Sequence, residues 1–177
     1  MQAETFVNKL VNAFVDICLL RAGPQDLPAS GFLLVLTAVL GVITGTVVLY
    51  DSFGDAGQAL MAQLLDLAFM LLFLRLGLSY RRKEARLLQS ATAVFGSGVV
   101  MNLVSMPVQL LIGNDPAGSV LGELGVLLYL FLLVWVIVVI AHILRHAFEI
   151  KFVAGSLLAI GYFLVINWLV QLFFPVA

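Results

Sequence analysis

Three groups of residues carry chemistry that their apolar surroundings do not. The first is a single acid, Asp66, set inside the run AQLLDLAFMLLFLRLGLSY. The second is the cationic run Arg81-Arg82-Lys83-Glu84-Ala85-Arg86 that closes the same stretch. The third is His142, His146 and Glu149, spaced i, i+4, i+7 so that a continuous helix would put them on one face. A charged Asp at the centre of a membrane helix costs about 2.5–3.5 kcal/mol on insertion scales, so Asp66 needs partners or a task.

Arg75 is not that partner. It lies about two and a half helical turns beyond Asp66, on the opposite side and about 13.5 Å further along the axis. Asp66 instead shares a helical face with Ala59, Gln63, Met70 and Gly77, the expected inward face. Counting the same depth along the neighbouring apolar segments reaches Asn102, Ser105 and Asn167, and passes Thr44 and Tyr129. The expectation is a polar layer of Asp66, Asn102, Ser105 and Asn167, with Gln63 as a fifth member. Such a layer can hold helices together through hydrogen bonds of about 0.6 kcal/mol each. It can also serve a substrate, an ion or a proton, or face a partner subunit. Unchanged activity in an Asp66→Asn protein that assembles normally would leave only the structural role.

The basic run has two uses. It can fix orientation in a membrane, and Arg81, Arg82, Lys83 and Arg86 can contact anionic lipid head groups. Two His at i, i+4 can chelate zinc, but only with further ligands. The chain has two His in all and one cysteine, Cys18, so neither a metal site nor a disulfide is expected. Solvation at the interface or contact with lipid phosphate is the expected role of the His pair. Haem held by both His is not expected, since they share one helix at its edge. No phosphate-binding glycine loop, nucleophile elbow or zincin helix occurs, so no catalytic residue and no cofactor is assigned, and a non-enzymatic role is expected.

The elements that must position these residues are helices in a bilayer. Of 177 residues, 63% are hydrophobic and 11% charged, against about 25% charged in an ordinary soluble domain. Several apolar runs reach the roughly 20 residues needed to cross the hydrocarbon. Net charge is −1, which argues against nucleic acid as the main partner. The expected fold is an all-α integral membrane protein with five transmembrane helices. The spans fall at about 30–50, 57–80, 87–112, 120–141 and 152–174. Residues 1–22 form a separate amphipathic interfacial helix, and residues 23–177 the transmembrane domain. In that first helix Phe6, Val7, Leu10, Val11, Phe14, Ile17 and Cys18 line one side. It is too polar to span, and is expected to lie on the bilayer or pack on its own spans. No cleavable signal is expected, because Glu4, Asn8, Lys9, Asn12 and Asp16 break the pattern of one.

With five spans, Lys9, Arg21, Arg81, Arg82, Lys83, Arg86, Arg145 and Lys151 all fall on one side, while Asp51, Asp55, Asp115 and Glu123 fall on the other. The positive-inside rule then puts the N-terminus in the cytoplasm and the C-terminus outside. The first span carries Gly41-Val-Ile-Thr-Gly45, a small-xxx-small spacing for close helix approach within the chain or to a partner. The third is unusually polar and contains Pro107, so a bend is expected there. No internal repeat is visible.

Five closely spaced spans, Gly23-Pro24 just before the first and Gly161-Tyr162 in the last resemble the Yip family over residues 24–177. Those are small membrane proteins that in eukaryotes associate with Rab-type GTPases and act in vesicle traffic. The resemblance implies a scaffold, assembly or trafficking factor, or a subunit of a membrane complex. The long polar N-terminal region of the eukaryotic members is not present in this sequence. The Ala- and Leu-rich, lysine-poor composition points to a bacterial inner membrane, where Rab binding would not apply. The implied partners are the lipid bilayer and another membrane protein or a second copy. The alternative is a small oligomeric transporter or channel built on the layer around Asp66.

Overall fold

Capping residues set most of the helix boundaries. The computed structural model describes residues 2–113 and 118–175, with side chains from residue 8 on. The positions of Phe6, Val7 and Asp115 invoked above lie outside the described side chains. The helices are α1 (Gln2–Cys18), α2 (Gly31–Phe53), α3 (Ala56–Tyr80), α4 (Leu87–Ile112), α5 (Val120–Phe148) and α6 (Phe152–Phe173), with no strand among the described residues. The last five are long and apolar enough to cross a membrane.

Ser30 Oγ accepts from the Leu33 N–H at 3.3 Å to start α2, and Gly54 at φ 65° ends it. One residue later the Asp55 carboxylate accepts from Gly57 and Gln58 at 2.6 and 3.3 Å and starts α3. These side chains satisfy backbone donors that a helix start leaves free. The turn between α2 and α3 is therefore shorter than the acidic segment 51–55, because Asp51 still belongs to α2. Likewise α5 continues past Ala141 to Phe148, which reduces the connector to Glu149–Lys151.

Three helices end on a non-glycine residue in the left-handed region: Leu20 after α1, Arg82 after α3 and Glu149 after α5. Each end is closed by a backbone bond spanning five residues, such as Arg21 N–H to Asp16 O at 2.8 Å and Lys83 N–H to Leu78 O at 2.8 Å. This is the helix stop that glycine usually occupies, and it costs about 1 kcal/mol or more without glycine.

α4 is the central helix, packed against α2 on one side and α5 on the other, with α1 and α3 also in contact. The run Ser90 to Ser97 is buried on every face. Small residues there (Ser90, Ala91, Ala93, Gly96) let neighbours approach closely from all directions. So the polarity of this segment reflects tight packing at the bundle centre. Pro107 sits inside α4, which continues as helix to Ile112.

α1 packs on the bundle, the second of the two expectations for it. Phe14, Ile17 and Cys18 are buried, with the Phe14 ring seated where a side chain at Gly96 would be. Side chains of α4 and α5 then take up carbonyls that the end of α1 and the following chain leave free. Trp135 Nε1 donates to Cys18 O at 2.8 Å, His142 Nε2 to Ala22 O at 2.9 Å, and Gln89 Nε2 to Leu27 O at 2.7 Å. Between α1 and α2, Pro24 opens a single 3-10 turn, Pro24–Asp26.

Candidate functional site

Asp66 sits on the inward side of α3, in line with buried Ala59 and Met70. Its partner comes from α6. The Tyr162 hydroxyl donates to Asp66 Oδ1 at 2.6 Å and lies 3.2 Å from the Asp66 carbonyl oxygen. Phe69 and Phe73, one turn and two turns along α3, flank the tyrosine ring with centroids 5.5 Å away. A carboxyl and a phenol thus meet inside an aromatic wall, joining α3 to α6. Arg75 is exposed and on the other side of α3, as helix geometry requires.

The expected polar layer does not converge. Asn102 Nδ2 donates to Thr44 Oγ1 at 3.1 Å, which ties α4 to α2. Ser105 Oγ donates back to the Asn102 carbonyl at 2.8 Å. Gln109 Nε2 continues the same seam to Val48 O at 3.2 Å. Gln63 packs its amide against Gly45, filling the notch that glycine leaves. Asn167 is exposed and its Nδ2 donates to Phe163 O of its own helix at 2.8 Å. Five residues expected as one layer thus divide into an α2–α4 seam, an α3–α6 pair, a packing contact and an outward amide. The physical reason is azimuth. α6 packs on α5 and α3, whereas Asn102 and Gln109 point at α2.

Counting depth along the sequence leads to Asn167, more than a turn further out on α6 than Tyr162, the residue that meets Asp66. Helices of unequal length with staggered ends do not share a common depth scale. The available signal was Tyr162 itself, since a buried tyrosine hydroxyl needs a partner, and Asp66 is the acid inside the neighbouring apolar run. The Gly41–Gly45 spacing is used within the chain: Gly41 approaches the Phe95 carbonyl and Gly45 is buried against Gln63.

The basic run also differs from expectation. Arg81 Nε donates to Phe148 O at 3.2 Å, and Arg86 Nη1 to His146 O at 3.0 Å. Lys83 and Arg86 both pair with Glu149, the latter at 2.6 Å. Three of the four cations assigned to lipid head groups therefore hold the end of α5, where free carbonyls attract positive charge. Only Arg82, in its left-handed turn, has none of these bonds. Lys83 first, then Arg86, holds the Glu149 carboxyl below the usual carboxylate range. Glu149 leaves the helix face it was expected to share with the His pair, because it is the residue that ends α5. His142 and His146 stack edge to face at 4.7 Å, and His142 Nε2 is committed to Ala22.

Two open clefts lie at opposite ends of the described residues. One, about 550 Å³, lies at the basic end and is lined by Gln25, Arg86, Arg145, His146, Lys151 and Phe152 among others. The other, about 460 Å³, lies at the far end between α2 and α4 beside Thr46, Tyr50, Asp51 and Gln109. Asp66 lines neither. No protein-family model matches the chain, and neither a curated protein nor a solved structure is significantly similar to it.

Proposed function

We propose that the chain is a non-enzymatic integral membrane protein that acts through contacts made by the outer face of α6, as a scaffold, assembly factor or complex subunit. Its five long apolar helices cross the bilayer with the N-terminus in the cytoplasm and the C-terminus outside, in a bacterial inner membrane. The observation that carries this reading is the exposed Asn167. α6 turns Gly155, Ala159, Tyr162 and Ile166 toward the bundle. Its opposite side exposes Leu157, Gly161, Leu164, Asn167, Trp168 and Gln171. Asn167 spends one N–H on Phe163 O, and the rest of its amide, with that of Gln171 one turn on near the helix end, is costly to leave on a lipid-facing apolar helix. A partner helix relieves that cost by hydrogen bonding. Gly161 gives such a helix room, since a side chain there would meet nothing within 4 Å. The Yip resemblance supports the same class of role. The transporter alternative would need the polar layer around Asp66, whose members make separate contacts here.

The test is cross-linking in native membranes from Gly161→Cys in a Cys18→Ala background. A disulfide-linked dimer, or a defined adduct with another membrane protein through a bifunctional reagent, is expected at position 161. Cross-linking no greater than from a cysteine at Phe32, on the exposed side of α2, would contradict the proposal.

A further inference from the structure

We propose that the cleft at the basic end binds a phosphate-bearing anion, supplied either by the head group of an anionic phospholipid or by soluble phosphate. Its walls come from three places: Gln25 in the turn after α1, Arg86 before α4, and the segment from Arg145 to Phe152 that joins α5 to α6. Three cations line it, Arg86, Arg145 and Lys151, against one acid, Glu149. That acid is already taken by Lys83 and Arg86. The nearby Asp26 carboxylate accepts from Gly23 N at 2.7 Å. Arg145 and Lys151 are thus left with positive charge directed at an open space of about 550 Å³, within the range of ligand pockets. The Arg145 guanidinium lies 5.7 Å from the Phe152 ring centroid, which orders it at the cleft wall without neutralising it. His146 and Gln25 add hydrogen-bonding groups suited to phosphate oxygens. The sequence alone points to the run 81–86 and to the His pair for lipid contact, and His146 does line this cleft. The structure commits most of that run to the end of α5 and opens Arg145 and Lys151 instead.

The site rests on the membrane reading only for the source of the anion. The test uses the purified full-length chain in neutral detergent, with two probes. Phosphatidylglycerol is compared with phosphatidylcholine by native mass spectrometry, and inorganic phosphate is titrated by calorimetry. Phosphatidylglycerol retained over phosphatidylcholine and not displaced by phosphate assigns a lipid source. Binding of phosphate that displaces the lipid assigns a soluble one. In either case Arg145→Gln with Lys151→Gln is expected to weaken binding about 25-fold, at roughly fivefold per cation, while Arg82→Gln leaves it unchanged. Lys151→Gln alone, at an exposed position that makes no side-chain cap on α6, guards against loss of fold and is expected to weaken binding about fivefold. Binding of neither probe, or equal binding by the double variant, overturns the proposal. Resistance of the chain to carbonate extraction from membranes, measured alongside, reports membrane residence separately.

Discussion

The Tyr162 hydroxyl donates to the Asp66 carboxyl at 2.6 Å, the one side-chain bond that Asp66 makes among the described residues. The tyrosine ring is enclosed by Phe69 and Phe73, so loss of its hydroxyl leaves the Asp66 carboxyl facing phenyl groups. Tyr162→Phe is therefore expected to destabilise the bundle by about 1–3 kcal/mol, read as a lowered melting temperature in detergent. Replacing both partners, Tyr162→Phe with Asp66→Leu, should recover part of that loss, because no polar group is then stranded. A double variant as unstable as the two single losses added together would show that the pair is not coupled. Cys18 gives a second residue-scale expectation. Burial pushes its thiol up to about 11, so thiolate is scarce at pH 8. Alkylation in the folded protein should be slower than for a free cysteine by roughly two orders of magnitude. At this scale the sequence showed which residues were costly but not what they touched. Asp66 stands out by its apolar neighbours, whereas Tyr162 stands out only by a hydroxyl whose partner the sequence does not name.

Between elements, the clearest contacts are the seat of α1 and the clasp at the basic end. A Cβ at Gly96 would lie about 2.5 Å from Phe14 Cδ1, too close for a ring already buried in place. Gly96→Ala should therefore loosen α1 and speed Cys18 alkylation at least tenfold, with α2 to α6 still folded by circular dichroism. Unchanged alkylation would mean that the Trp135 bond to Cys18 O, with the His142 and Gln89 bonds to the chain that follows, holds α1 without the Phe14 seat. In the clasp, Glu149 is held below its ordinary pKa by Lys83 and Arg86. A depressed carboxylate contributes stability that is complete above the unfolded pKa, about 4.3, and is lost as pH falls through the lower folded value. Melting temperatures from pH 7 down to 3 should show that acid limb, and Glu149→Gln should flatten it while lowering stability slightly at pH 7. The effect should shrink in high salt, since the pair is exposed. Element ends were legible because caps are local: Ser30, Asp55 and Gly54 act within one turn of themselves. The left-handed stops at Leu20, Arg82 and Glu149 were not, because these residue types carry no such preference.

Across the whole molecule, the number and order of the apolar helices were readable from run length alone, since roughly 20 apolar residues serve one purpose. Which face of each turns inward was not. A helix between lipid and protein is apolar on both sides, so the periodicity that orients a soluble helix fades. Asn102 and Asn167 therefore look alike in the sequence although they face different neighbours, and staggered helix ends shift the depth of Asp66 on α6 from Asn167 to Tyr162. The least hydropathic of the five long helices, α4, has its run Ser90 to Ser97 buried on every face, whereas α6 exposes one whole side. A partner on that side of α6 is tested most directly by the mass of the complex released from its native membrane in mild detergent, for the wild-type chain and for Asn167→Leu with Gln171→Leu. The expected result is a species larger than one chain that falls to the monomer in the double variant. A monomer in both, or an unchanged complex in the variant, would contradict it.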